Sequence, residues 1–187
     1  KLAQTSTQLE MIDGLMVQPN DLPPLVAHLD LLLNTIVMCD KPFLAGFDSR
    51  VNVENTIAMA HILNGGRDDL NAKATFVSVI SPTSPLQYND EQAHAVIQLA
   101  RHRQPLVITN MIMAGMSGPL SLPGLMVQLN AEILGGLVLS QLAGPGTPVI
   151  YGSTSAPMDM KTSISAVGAP ETCLIASATL QLAQFYR

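Results

Sequence analysis

Pro148-Val149-Ile150-Tyr151-Gly152-Ser153, with the tail Thr154 to Thr162 behind it, decides how this chain is read. A proline opens onto Val149 and Ile150, β-branched residues that suit a buried strand. Beyond Ser153 a polar stretch carries Met158, Asp159, Met160 and Lys161. Gly168-Ala169-Pro170-Glu171 then starts a helix, with proline in the first turn, where a missing N–H costs nothing. The pattern is a buried parallel strand, a polar loop at its far end, and a helix. In α/β folds ligands sit at that end of the strands.

Working outward, the same layout recurs. Strands are expected at 14–19, 42–47, 74–80, 105–111 and 148–153, alternating with helices. Gln4 to Asp13 reads as the end of a helix. A second helix runs to about Met38, with Leu25, Leu29, Leu32, Leu33 and Ile36 at helical spacing. A third carries Val53, Ile57 and Ala60 and stops at Asn64-Gly65-Gly66. Asn89-Asp90 caps a fourth, and Ser121 opens a fifth that reaches Ala143. Pro42, Pro105 and Pro148 each stand at a strand's first residue, where proline does not break a ladder. Short turns therefore fall at the strand N-terminal ends and longer loops at the C-terminal ends. Strand starts recur every ~30 to 40 residues, the unit length of a TIM barrel. The fold class is α/β, built of parallel (β/α) units, with about five of a barrel's eight in one domain over 1–187, cut at both ends. A Rossmann-like sheet is the alternative, but no G-x-G-x-x-G follows a strand, and Gly115-Met116-Ser117-Gly118 is too short to count.

Composition narrows the function classes. Charged residues make up 12% of the chain and hydrophobic ones 48%, against an ordinary charged share of about a quarter. Such a chain has little surface to spare for water. A net charge of −5 with no basic cluster argues against nucleic acid. The Ile133 to Ala143 stretch is too short and interrupted to suggest a membrane span. Cys39 and Cys173 make no disulfide framework, so a reduced, cytoplasmic setting is expected. The helix from Ser121 to Ala143 is apolar nearly all round, which calls for cover on most sides and predicts a homo-oligomer or another cover. Gly135-Gly136 would let a neighbour approach closely, and Asn130 and Glu132 need hydrogen-bond partners.

The chemistry is sparse. His28, His61, His94 and His102 form no H-E-x-x-H, so no metal site is expected; His94, Gln98 and His102 read as a solvated helix edge. Ser153 lacks the second glycine of a nucleophile elbow. Lys161 is the only lysine near a strand end, which leaves little for an aldolase or lyase. The catalytic residues stay unassigned. Gln18, Asp48, Ser81, Asn110, Tyr151 and Asp159 each fall at or just past a strand's C-terminal end and are expected to share one substrate-binding cleft. Asp21 and Asp48 read equally well as turn and cap residues. Met111, with Met113 and Met116, follows the fourth strand, and Met158 and Met160 follow the fifth. They are either adaptable core filling or a soft apolar wall for a methylated ligand, to which Phe47 and Tyr151 could add aromatic faces.

Several segments, in order, resemble the trimethylamine methyltransferase family: Val79-Ile80-Ser81-Pro82 to Pro85-Leu86, Met111 to Leu120, Gln128 to Leu134, Pro148 to Met160, and Gly168-Ala169-Pro170-Glu171. The resemblance implies a (β/α)8 barrel. It implies transfer of a methyl group from a methylated amine, such as trimethylamine or glycine betaine, to the cobalt of a separate corrinoid protein. No cofactor would then be bound directly; the corrinoid (cobalamin) is carried by a partner. Some members carry pyrrolysine and others do not, and the residues here do not separate the two. A non-catalytic barrel module remains the competing reading.

Overall fold

The computed structural model describes residues 2–13, 20–46, 49–66, 70 and 74–186. Its helices are α1 (Leu2–Thr5), α2 (Pro24–Met38), α3 (Arg50–Leu63), α4 (Asp90–Arg101), α5 (Leu122–Ala143) and α6 (Pro170–Phe185). Its strands are β1 (Ile12–Asp13), β2 (Phe43–Ala45), β3 (Phe76–Ile80), β4 (Leu106–Asn110), β5 (Met113–Ala114), β6 (Val149–Ser153), β7 (Ala156–Asp159) and β8 (Ile164–Ser165).

Five strands form one sheet in the order β1-β2-β3-β4-β6, every pair parallel. Each strand lies beside that of the next unit, the order of a barrel arc; a doubly wound sheet reverses its order. Among the described residues the sheet is open, with β1 and β6 at its edges. Pro42, Pro105 and Pro148 sit just ahead of their strands and lend only carbonyls, to the N–H groups of Ile12, Ser78 and Leu106. A residue with no donor is harmless there because only its acceptor is used.

The helices follow their local signals. Ser49 caps α3 by accepting from the Asn52 N–H, and Asn89 caps α4 in a reciprocal capping box with Gln92. The expected helix over 4–13 is corrected: α1 ends at Thr5, and Ile12 joins the ladder beside Phe43. The Lys41 ammonium holds the carbonyls of Ser6 and Leu9, so tertiary bonds win over local propensity in that segment. The expected strand over 14–19 lies outside the described residues.

Register assigns the two sheet faces. Phe43, Ala45, Phe76, Ser78, Ile80, Leu106 and Ile108 lie on one face, are buried, and meet the helices. Leu44, Val77, Val79, Val107 and Ile150 lie on the other, which stays partly open, with Ile150 51% exposed. Both faces are apolar, as in parallel sheets that are covered twice.

The fifth helix has the length and apolarity of a membrane span. One side of it is nevertheless core: Leu125, Leu129, Glu132, Ile133, Gly136 and Ser140 are buried. Gly136 is where a close approach is required. A Cβ there would stand 2.2 Å from the Tyr88 hydroxyl oxygen and 2.9 Å from Ile108 Cδ1. The histidine edge of α4 is corrected from solvated to packed. His94 is 19% exposed and faces Glu54 of α3 at 3.7 Å. His102 meets the His61 ring with centroids 5.1 Å apart, and burial, then the His61 and Arg101 charges, lower its pKa.

Candidate functional site

The C-terminal ends of β3, β4 and β6 carry the polar side chains of greatest interest, and the loops beyond them fold onto one another. Past β4 and β6, the two methionine-bearing loops pair to make a second small sheet, β5-β7-β8. Met113 and Ala114 run parallel to Ala156 and Pro157, while Met158 and Asp159 pair antiparallel with Ser165 and Ile164. These strands are two to four residues long, too short for a periodic signal, so the sequence showed only loops. Gly115, at φ +90, turns the first loop; a Cβ on it would lie 3.3 Å from Leu120 and 3.5 Å from the Met160 sulfur. Both methionine clusters thus reach one place. Met111, Met116, Leu120 and Met160 are all more than half exposed there.

Asn110, at the end of β4, is fully buried. Its amide donates to the Leu129 carbonyl and to Glu132 Oε2, both at 3.1 Å. Its own carbonyl accepts from the Thr154 N–H at 2.9 Å, and the Ser155 hydroxyl receives the Ile112 N–H at 2.9 Å. Asn110 therefore joins the end of β6 to α5. Ser81, just past β3, is half-buried and gives its carbonyl to the Gln92 amide at 2.7 Å. Tyr151 points to the helix side, donating to Asn130 Oδ1 at 2.9 Å and stacking on Tyr186 with centroids 6.2 Å apart. Burial first, and then Tyr186, push its pKa up to about 12. Asp159 is fully exposed and accepts from the Lys161 N–H and the Thr162 hydroxyl, each at 2.9 Å. Those bonds hold its pKa below the usual carboxylate range. Gln18 and Asp48, like Phe47, lie outside the described residues. The structure thus brings Asn110 and Tyr151 to the layer beneath α5 and leaves Met111 and Asp159 at the surface.

Glu132 is the residue that reading by strand ends passes over. It is 2% exposed and accepts from Ser84, Leu86, Gln128 and Asn110. The signal was present: Glu132 is the one charged residue in the 22 of α5. Asn130 also finds partners, in Tyr151 and Tyr186. Among the described residues, no three His, Cys, Asp or Glu side chains converge as a metal cluster would require. A pocket of about 220 Å³ lies behind the small sheet, over Ala114, Leu125 and Ile175, with Glu171 the one charged lining residue among those described. A second, of about 290 Å³, lies at the opposite end of the strands beside Lys41 and Phe43.

The trimethylamine methyltransferase (MTTB) family model matches residues 1–187. The chain belongs to that family. It is 40% identical over 186 residues to a glycine betaine methyltransferase of Desulfitobacterium hafniense (strain Y51), covering all of this chain and 39% of that protein. It is 34% identical over 183 residues to the trimethylamine methyltransferase MttB of D. hafniense (strain DSM 10664 / DCB-2), covering 95% of this chain and 36% of that protein. With the trimethylamine methyltransferase MttB of Methanosarcina barkeri (strain Fusaro / DSM 804) it shares 40% identity over 122 residues, which is 65% of this chain and 25% of that protein. The chain thus spans less than two-fifths of the length of these curated relatives.

Proposed function

We propose that the protein carrying this chain transfers a methyl group from a tertiary or quaternary methylated amine to the Co(I) of a separate corrinoid protein. The reading rests on the 40% identity, over 186 residues, to a glycine betaine methyltransferase. A quaternary amine reacts as it stands and a tertiary one as its protonated ammonium: the C–N bond breaks, the neutral amine leaves with its electron pair, and the Co(I) pair forms the new bond to carbon. The corrinoid is a co-substrate on another protein, so this chain must hold and orient the ammonium and keep water away. We assign the apolar wall to Met111 with Met116 and Met160, and the anionic group to Asp159. Gln18, Asp48 and Ser81 complete the substrate-binding set, and Asn110 and Tyr151 support it from the helix side. In this reading the protein works in the cytoplasm as a homo-oligomer on a barrel scaffold.

The test mixes the intact protein, an amine and the reduced corrinoid protein, and follows the conversion of Co(I) to methyl-Co(III) by absorbance. Turnover is expected with trimethylamine or a quaternary amine such as glycine betaine. Asp159→Ala should weaken amine binding about ten- to a hundredfold, the worth of one hydrogen bond or ion pair to a charged group. No methylation with any tertiary or quaternary amine would overturn the reading.

A further inference from the structure

We propose that Glu132 is the positioning residue of the strand-end face. Its Oε2 accepts from Ser84 Oγ at 2.9 Å and Asn110 Nδ2 at 3.1 Å, and its Oε1 from the Leu86 N–H and Gln128 Nε2, both at 3.0 Å. Its backbone carbonyl takes a fifth bond, from the Tyr88 hydroxyl at 2.9 Å. An ionised carboxylate has about four lone-pair sites, and here each is met by a neutral donor. No ion pair reaches Glu132 among the described residues.

A charge buried in this way is a poor source of stability, because an apolar residue of the same size would avoid its desolvation. What the carboxylate supplies is geometry. Ser84 and Leu86 fix the β3–α4 loop through the carboxylate, with Tyr88 on the backbone carbonyl beside it, and Asn110 fixes the end of β4. Gln128 also donates to the Ser117 carbonyl at 3.0 Å and so ties in the methionine loop beyond β4. Two segments are therefore set relative to one another by one side chain, and a third is joined to them through Gln128. Their outward surfaces carry Leu86, Met111 and Met116, which are 64%, 55% and 64% exposed. Leu86 is held at φ +55, a left-handed conformation that a leucine rarely adopts unsupported, and Glu132 receives its N–H. Glu132 acts through these loops and is itself out of reach of a ligand. Its consequence for turnover rests on the methyl-transfer reading; the clamp does not.

The test compares Glu132→Gln, Ser84→Ala and Gln128→Ala in the intact protein by hydrogen exchange and by amine kinetics with reduced corrinoid protein. Glu132→Gln turns a donor toward donors, and exchange over 81–89 and 111–118 should rise about tenfold, with α3 unchanged. KM for the amine should rise by about the same factor while kcat moves less. Ser84→Ala should loosen only 81–89, and Gln128→Ala only 111–118. A folded Glu132→Gln with unchanged exchange in both loops overturns the clamp; loosened loops with wild-type KM and kcat overturn its role in positioning the amine. If Glu132→Gln does not fold, unchanged exchange in the other two variants overturns it. Should the wild-type protein transfer no methyl group, the proposed activity fails, and exchange alone decides the clamp.

Discussion

Tyr151 shows what a single residue contributes and how far it could be read beforehand. Its hydroxyl donates to Asn130 and its ring stacks on Tyr186; burial first, and then Tyr186, raise its pKa from 10.0 to about 12. The folded state holds the phenol proton more tightly than the unfolded chain does. The stabilisation is therefore complete below pH 10 and is lost as pH rises toward 12. Chemical denaturation followed from pH 9 to 12 should show that fall, and Tyr151→Phe should make it shallower, leaving the share that Tyr88 contributes. A wild-type alkaline slope in Tyr151→Phe would assign the effect elsewhere. The position of Tyr151 near a strand's far end was legible in the sequence; its direction was not. Val149 and Ile150 are both apolar, so alternation could not say which face met the helices. Glu132 was legible as a group in need of partners. That most of its partners would come from two distant segments was not, because they lie up to 48 positions away in the chain.

Among elements, α5 is the most constrained. Gly136 lets the Tyr88 ring lie against it, and Tyr88 in turn reaches the Glu132 carbonyl. Burial, and then the Glu132 charge, push the Tyr88 pKa well above its usual value, so its hydroxyl stays a donor. Gly136→Ala should destabilise by about 1–3 kcal/mol, the cost of overfilling a packed site. The clash is first with the hydroxyl, so the loss should be smaller in a Tyr88→Phe background; additive losses in urea denaturation would contradict this. Helix and strand positions were largely legible, since capping residues and strand-opening prolines act locally. The β5-β7-β8 sheet was not, because it exists only through pairing between loops about 40 residues apart.

For the whole molecule, surface is the dominant fact. The accessible area is 10,910 Å² for 19.9 kDa, against roughly 8,700 Å² for a compact monomer of that mass. Part of the excess is the open sheet face. Another part is the outer side of α5, where Val127, Val138 and Leu142 are 72%, 53% and 79% exposed. That helix already packs against α4 and α6 and against β4, so further units added to the sheet edges would not cover it. Light scattering of the isolated 187-residue chain should show concentration-dependent association, and Val127→Lys with Leu142→Lys should reduce it. A monomer at high concentration would count against the expectation. The small sheet has a separate consequence, for engineering. Main-chain bonds hold the loop after β4 to the loop after β6, so neither is a free module. Transplanting one into another scaffold without the other would leave a strand seeking a mate. The turn over 161–163 is no freer, because it closes β7 on β8 and its Lys161 N–H and Thr162 hydroxyl hold the Asp159 carboxylate.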